Sequence, residues 1–336
     1  MAAPVAEYHG VDRTRFEAEI VPAYRPAVLR GLVAHWPVVR RAAEGDLALC
    51  RELAARDSGA EVDALMIPPG RGRRLFFAQD FEQGGSGFNY LRNRLPLSTV
   101  MEQLLRYAQF PNPPALAAQS ALADSCVPGF AADHVLPLLD AAVPPRLWLG
   151  NAIQTPTHFD ESSNIACVAA GERCFTLFPP EQIGKLYVGP IGHAPTGTPI
   201  SLVDPEAPDL ARFPRYAEAE AAALQAVLRP GDAIYIPPLW WHHVASRAPL
   251  NLLVNYWWTL PGAGSGMGAL LHARLAFGAF PPAQRQAWAA LLAHWVFEAD
   301  AGTVAHIPPA LQGVHGELTP ELRARLQALI GLGPAA

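Results

Sequence analysis

A series of short apolar segments, separated by turn-forming clusters between residues 145 and 260, constrains the fold more than any other feature of the sequence. The segments are Arg146–Gly150, Asn164–Ala170, Cys174–Phe178, Ala233–Ile236 and Leu250–Trp258. Strands of this length and spacing favour a β-sandwich or a small barrel. Gly171 lies between two of them, so we expect 165–169 and 173–178 to pair as a hairpin.

Helical patterns flank this β-rich region on both sides. Residues 13–60 read mainly as helix, apart from an extended piece at 26–33, and a further helix is expected over 97–108. The segments 268–277, 283–299 and 321–330 are amphipathic and follow a glycine-rich stretch. We therefore expect a mainly β fold with helical additions. The predicted domains are a catalytic domain at 1–262, with its core at about 145–260, and a helical C-terminal region at 263–336.

Composition excludes several classes of function. The chain has 336 residues, of which 51% are hydrophobic and 16% are charged, so it should fold rather than remain disordered. The net charge is −5 and the only dense basic block is Arg71-Gly72-Arg73-Arg74, which argues against general binding to nucleic acid or to a membrane surface. Lys185 is the one lysine, and no phosphate-binding GxxxxGK[ST] loop occurs.

The cysteines and the ends of the chain bear on its compartment. Four cysteines lack CxxC spacing, so we expect reduced thiols in the core. The first residues have no basic start followed by an apolar run, as a signal peptide would. The longest uncharged stretch, 248–273, is interrupted by prolines and glycines and does not suit a membrane span. We therefore expect a cytoplasmic protein.

Two histidine-containing motifs carry the strongest chemical signal. In His158-Phe159-Asp160, side chains two apart on a strand share a face, so the imidazole and the carboxylate can converge. Trp240-Trp241-His242-His243 supplies a second imidazole, and only one of its two histidines can face the interior of a barrel. Two imidazoles and one carboxylate on one side of a metal ion are typical of non-haem Fe(II) oxygenases.

The order of motifs adds a family resemblance. The motifs are Thr155-Pro156-Thr157-His158-Phe159-Asp160, Asn164, Gly171 to Pro180, Pro230-Gly231-Asp232 to His243, and Val254-Asn255-Tyr256-Trp257. Together they resemble the JmjC/cupin-like 2-oxoglutarate oxygenases, and among these especially the asparaginyl hydroxylases. The resemblance covers about residues 145–260 well. It implies a double-stranded β-helix, the jelly roll of cupins.

The resemblance also implies roles for individual residues. It makes His158, Asp160 and His242 the ligands of Fe(II). His243 is then most simply a residue that supports a ligand or packs in the core. It places Thr155 and Arg173 at the distal carboxylate of 2-oxoglutarate, Asn164 and Asn255 near its metal-bound end, and Trp257 at the wall of the site. The implied activity is an Fe(II)- and 2-oxoglutarate-dependent oxygenase that hydroxylates a protein or peptide side chain or a small molecule, with succinate and CO2 as co-products.

Departures from the pattern prevent any transfer of the substrate. Arg173 stands where the resembling hydroxylase has lysine, a change that a carboxylate partner should tolerate. The stretch Pro114–Gln119 contains no tyrosine to help hold the co-substrate. The polar pair that grips the target asparagine corresponds roughly to Pro199 and Ile200, and Ser162 follows the aspartate ligand by two residues.

Two alternative functions are open at this point. One is a metal cupin enzyme that works without 2-oxoglutarate, against which a buried Arg173 argues. The other is a non-catalytic, dimeric binding module, against which the intact ligand set argues. A homodimer is expected from the apolar stripe between Trp288 and Val296 and from the resembling hydroxylase, which dimerises through C-terminal helices. The same stripe could instead pack within its own chain.

Overall fold

The computed structural model describes residues 2–260, 264–300, 302–315 and 318–329. Its contacts divide the chain into two compact units, Met1–Ala263 and Gly264–Ala336. The predicted domain boundary between 262 and 263, and the predicted last helical residue Ile330, lie outside the described residues.

Strands dominate the first unit. They are β1 Ala3–Pro4, β2 Ala6–His9, β3 Ala27–Arg30, β4 Glu61–Ile67, β5 Leu91–Pro96, β6 Ala115–Leu122, β7 Arg146–Gly150, β8 Gln154–His158, β9 Ser163–Ala170, β10 Arg173–Phe178, β11 Leu224–Leu228, β12 Ala233–Ile236, β13 Trp241–Ser246 and β14 Asn251–Trp258. They form a five-stranded sheet in the order β1-β11-β10-β13-β8 and a nine-stranded sheet in the order β2-β3-β12-β9-β14-β7-β6-β4-β5.

Helices lie before, between and after the strands. The α-helices are α1 Arg13–Arg15, α2 Pro37–Ala43, α3 Asp46–Ala55, α4 Leu97–Tyr107, α5 Ala123–Cys126, α6 Phe130–Asp133, α7 Tyr216–Ala221, α8 Gly266–Phe277, α9 Pro282–Leu292 and α10 Pro320–Leu329. Shorter 3-10 or π-helical turns cover Phe16–Ile20, Phe81–Gln83, Pro180–Lys185, Ala293–Phe297, Pro309–Leu311 and Gly313–His315. The predicted mainly β fold with helical additions and a helical C-terminus is confirmed.

The predicted hairpin around Gly171 is wrong. Strand β9 pairs with β12 and β14, whereas β10 pairs with β11 and β13, so the two strands belong to different sheets. Gly171 has φ +75°, and a Cβ there would lie 2.2 Å from Oδ1 of Asn251. A tight glycine turn therefore carries the chain across from one sheet to the other. The spacing of the two strand segments around Gly171 in the sequence does not by itself distinguish this crossing from a hairpin.

Alternation along β9 shows how the sheets are layered. Ala166 and Val168 belong to an apolar cluster with Phe175 of the five-stranded sheet, so they lie between the sheets. Cys167 belongs to a second cluster, on the opposite face, with helical residues such as Leu104. Full burial of a valine, leucine or phenylalanine side chain, such as those of Val168, Leu104 and Phe175, stabilises the fold by about 1.5–3 kcal/mol. Strands buried on both faces provide a rigid support for side chains that point into the space between the sheets.

Two further observations concern cysteines and membranes. The four cysteines are free thiols, of which Cys50, Cys126 and Cys167 are buried, and burial raises the pKa of Cys50 to about 11. This agrees with unreactive packing thiols. Among the helices described, none has both the length and the apolar character needed to cross a membrane.

Candidate metal centre

His158, Asp160 and His242 meet where β8 lies beside β13. The two strands are antiparallel, with His158 directly opposite His242, and their imidazole ring centres are 4.3 Å apart. Asp160 follows His158 by two residues, and its Oδ2 lies 3.7 Å from Nε2 of His242. One ligand atom from each residue lies within 4.8 Å of the others. Three donors this close can hold one metal ion.

Backbone carbonyls fix the orientation of both imidazoles. Nδ1 of His158 lies 2.8 Å from the carbonyl oxygen of Pro156, and Nδ1 of His242 lies 2.9 Å from that of Trp240. A carbonyl oxygen only accepts, so each Nδ1 carries the proton. Each Nε2 then has a free lone pair, which is the form in which histidine binds a metal. The backbone hydrogen bond of each Nδ1 therefore leaves Nε2 as the atom that can bind the metal.

Electrostatics favours the same neutral form. Burial, together with the neighbouring His242, lowers the pKa of His158 to about 4. The imidazole is therefore neutral near pH 7 and needs no deprotonation before it can act as a ligand.

Asp160 is held by two donors from the nine-stranded sheet. The indole Nε1 of Trp257 donates to Oδ2 of Asp160 at 3.1 Å, and Nδ2 of Asn164 donates to the same oxygen at 3.5 Å. Asp160 lies in the loop after β8, so these contacts join that loop to the opposite sheet. They restrict the carboxylate without using all of its acceptor positions.

The same contacts continue as a chain of hydrogen bonds, which we call the amide chain: Trp148, Asn255, Asn164 and Asp160. Nε1 of Trp148 donates to Oδ1 of Asn255 at 2.8 Å, and Nδ2 of Asn255 donates to Oδ1 of Asn164 at 3.3 Å. An indole N–H can only donate and a carboxylate can only accept. The two ends therefore fix which way both amides point.

Arg173 brings a buried positive charge to the same cavity. The residue is 7% exposed, and its Nη2 is 3.4 Å from the carbonyl oxygen of Trp148. Its Nε is buried without a hydrogen-bond partner, and no carboxylate of the described chain forms an ion pair with it. Burial lowers the pKa of Arg173 to about 10, so the guanidinium is still charged near pH 7. A buried cation with an unused donor fits an anionic ligand.

The eight predicted site residues all line one cavity. They are Thr155, His158, Asp160, Asn164, Arg173, His242, Asn255 and Trp257. His243 does not line it; the residue is 1% exposed and follows His242 on β13, so it points to the other face of the sheet. Trp148 also lines the cavity and was not among the predicted site residues. Its signal was available, because this half-buried tryptophan stands between two buried leucines on a strand and so must face the other way.

The departures noted in the sequence have structural counterparts. Pro199 and Ile200 are both buried, so neither offers a polar group to a substrate. The stretch Pro114–Gln119 enters β6, whose residues from Ala115 to Ala118 are buried. No tyrosine from this strand reaches the cavity, and the cavity lining includes no tyrosine among the described residues.

Comparison with known protein families shows which family this metal centre belongs to. A model of a cupin-like domain matches residues 13–263, about three quarters of the chain. The chain belongs to this cupin-like domain family. The match includes both motifs of the metal centre and strands β3 to β14. It confirms the JmjC/cupin-like membership expected from the order of motifs.

Several curated proteins are similar to the chain. The human "Bifunctional peptidase and (3S)-lysyl hydroxylase JMJD7" is 30% identical over 267 residues, which cover 70% of this chain and 78% of that protein. "Jumonji C domain-containing protein 5" of Drosophila melanogaster is 26% identical over 72% of this chain and 57% of its own length. "Lysine-specific demethylase 8" of Xenopus tropicalis is 24% identical over 76% of this chain and 53% of its own length. The chain thus spans just over half of the last two proteins.

Proposed function

We propose that the protein is an Fe(II)- and 2-oxoglutarate-dependent oxygenase that hydroxylates a C–H bond of its substrate. The observation that carries this proposal is the presence, in one cavity, of a three-donor metal cluster and a buried, unpaired Arg173. A metal cupin without an anionic co-substrate would bind no anion to pair with that guanidinium. A non-catalytic module would need neither the three-donor metal cluster nor the buried Arg173.

The residues of the cavity fit both Fe(II) and 2-oxoglutarate. His158, Asp160 and His242 would hold Fe(II) through two neutral imidazoles and a carboxylate, and Thr155 and Arg173 would bind the far carboxylate of 2-oxoglutarate. When bound, the iron and the co-substrate supply oxidising power from O2, with succinate and CO2 as co-products. The chain itself orients the ligands through backbone carbonyls and lines the cavity with apolar side chains such as Phe175 and Ile236, which limits access of water.

The substrate that we favour is a protein or peptide side chain. Two of the similar proteins carry names that refer to lysine residues, a lysyl hydroxylase and a lysine-specific demethylase. A small-molecule substrate is the alternative. Screening peptide libraries and small-molecule extracts for a mass gain of one oxygen distinguishes the two.

Formation of succinate tests the proposed reaction without knowledge of the substrate. The purified chain, loaded with Fe(II) and supplied with 2-oxoglutarate and O2, should release succinate slowly even when no prime substrate is present. His242→Ala should lower this rate to background, and Arg173→Ala should lower it at a 2-oxoglutarate concentration that saturates the wild type. Succinate formation that is absent from the loaded protein, or equal in all three proteins, would contradict the proposal.

We further propose that the C-terminal unit joins two copies of the chain. Its apolar residues are exposed: Trp295 by 49%, Val296 by 61% and Phe297 by 78%. Of the residues between 264 and 328 whose burial the structure describes, none is buried, so these side chains lack a core of their own. Light scattering of the full chain should give the mass of a dimer, and Val296→Glu/Phe297→Glu should give that of a monomer. A wild-type monomer at micromolar concentration contradicts the dimer.

A further inference from the structure

Three arginines line a second cavity that the proposed reaction does not use. The cavity has a volume of about 480 Å³, and its arginines are Arg71, Arg73 and Arg74. They belong to the short basic block noted in the sequence. Asp204 is the one acidic residue of the lining, so the local formal charge is positive in a chain whose net charge is −5.

None of these arginines forms an ion pair with a carboxylate of the described chain, and the charge of Asp204 acts on Arg74 only from a longer distance. Arg71 is exposed, and no hydrogen bond of its side chain occurs in the described structure. Arg73 donates through Nη1 to the carbonyl oxygen of Ala152 at 2.9 Å, which leaves its other donors free. In the described part of the chain, eleven other basic residues pair with an acid. Three guanidinium groups without an ion pair thus lie together at this one cavity.

Arg74 is the most constrained of the three. Its Nη2 donates to the carbonyl oxygens of Ser201 at 3.0 Å and Val203 at 2.9 Å, while its Nε is buried without any partner. Its guanidinium carbon lies 4.0 Å from the ring centre of Phe76. Burial lowers the pKa of Arg74 to about 10, so the charge persists near pH 7 without an opposing ion pair.

Hydrogen bonds hold the arginine segment beside the strand that carries His158. Gln154 of β8 donates its backbone N–H to the carbonyl oxygen of Arg73 at 2.8 Å, and its own carbonyl accepts from Leu75 at 3.0 Å. Nδ2 of Asn89 donates to the carbonyl oxygen of Arg74 at 2.8 Å. Gln154 precedes His158 by four residues of strand, a distance of about 13 Å. The cavity is thus a fixed feature near the metal centre.

We propose that this arginine cavity binds an acidic segment of the polypeptide substrate. This proposal rests on the proposed function for its choice of partner. Guanidinium groups match carboxylates through paired hydrogen bonds. Three of them in succession fit a run of carboxylates better than a single small anion. Asp204 in the lining opposes a doubly charged phosphate more than it opposes singly charged carboxylates.

Binding of a labelled acidic peptide tests the arginine cavity. The probe is a fluorescein-labelled peptide of eight glutamates, and the readout is fluorescence anisotropy at low salt. Arg71→Gln/Arg73→Gln should weaken binding at least tenfold. Arg40→Ala/Arg51→Ala removes the same charge from two exposed arginines that have no ion pair, and it should leave binding unchanged. Higher salt should weaken binding to the wild type.

Three results would overturn the proposal. They are an absence of peptide binding to the wild type, an equal loss in both double variants, and displacement of the peptide by inorganic phosphate at equal concentration, which would indicate a site for a free anion. Succinate formation without prime substrate should be the same in wild type and Arg71→Gln/Arg73→Gln. Its failure in the wild type would instead count against the proposed reaction, so the two proposals fail separately.

Discussion

Two regions of the first unit bury histidines in opposite ways. His134 is 2% exposed, and both of its ring nitrogens are satisfied: Nδ1 lies 2.7 Å from the carbonyl oxygen of Phe130, and Nε2 accepts from the backbone N–H of Val38 at 3.1 Å. His242 is equally buried, yet only its Nδ1 meets a backbone partner, and Nε2 faces Asp160 and the cavity.

The difference separates a structural histidine from a candidate ligand. A ring with both nitrogens paired within the chain has no lone pair left for a metal ion. A ring with one nitrogen fixed and the other aimed at a carboxylate and a second imidazole has one. Burial alone does not distinguish the two regions, whereas the partners of each nitrogen do. The predictions below test this comparison, from the largest expected effect to the smallest.

Loss of His242 should have the largest effect. His242→Ala removes one of three ligand atoms, so binding of Mn(II), measured by calorimetry, should become undetectable. His243→Ala, which changes the neighbouring residue on the other face of β13, should keep most of the metal affinity. The reverse order would show that His243, and not His242, supplies the ligand. Circular dichroism of both variants checks that they fold.

Loss of Arg173 should separate the co-substrate from the metal. Arg173→Ala removes the buried cation that faces the cavity, so the 2-oxoglutarate concentration needed for half-maximal succinate formation should rise at least tenfold. Mn(II) affinity should change little, because no metal ligand bonds directly to Arg173. Arg173→Lys keeps the charge and should recover part of the affinity. An unchanged 2-oxoglutarate requirement in Arg173→Ala would remove this residue from the site.

The residues of these first two predictions, His242 and Arg173, could be identified from the sequence. Strand geometry predicts that His158 and Asp160 converge and that His242 and His243 face opposite ways. In the structure β8 ends at His158 and Asp160 lies in the loop after it, yet the two side chains still meet. The resemblance supplied Thr155, Asn164, Arg173, Asn255 and Trp257, and all of them line the cavity.

Other features depend on contacts between distant parts of the chain. The turn at Gly171 crosses between sheets because of what packs around it, including Asn251, and not because of the turn itself. Trp148 matters through a bond to Asn255, 107 residues further along. The hydrogen bonds from Arg74 to the carbonyl oxygens of Ser201 and Val203 likewise form only once the chain has folded. A pattern within one segment cannot predict such partners.

Trp148 provides a finer test of the amide chain. Trp148→Phe removes the indole donor, so Asn255 and Asn164 are fixed only from the Asp160 end and Asp160 is less restricted. We expect metal affinity to fall by up to about tenfold, the lower range for residues that orient a ligand. Trp258→Phe is the matched control, because Trp258 packs in the cluster on the opposite face of the sheet. Equal affinities of the two variants for Mn(II) would mean that the amide chain does not orient Asp160.

The region around His134 gives the smallest and most specific effect, on stability rather than on the site. Burial lowers the pKa of His134 below its ordinary value of about 6.5. The unfolded chain then takes up a proton near pH 6.5 while the folded chain resists it. The contribution of the neutral ring to stability is therefore complete above about pH 6.5 and is lost as the pH falls towards the folded-state pKa.

Urea unfolding at several pH values measures this contribution. His134→Gln should lower the free energy of unfolding at pH 7.5 by about 1–3 kcal/mol, because it leaves a buried backbone donor or acceptor unpaired. Between pH 6.5 and 5 the wild type should lose stability more steeply than His134→Gln, whose amide does not titrate. His35→Gln, a change at an exposed histidine, should keep the wild-type slope. If His134→Gln instead keeps that slope, the ring is protonated in the folded protein. A protonated His134 could not accept from Val38, and the contrast with His242 would then have to rest on the Nδ1 contacts alone.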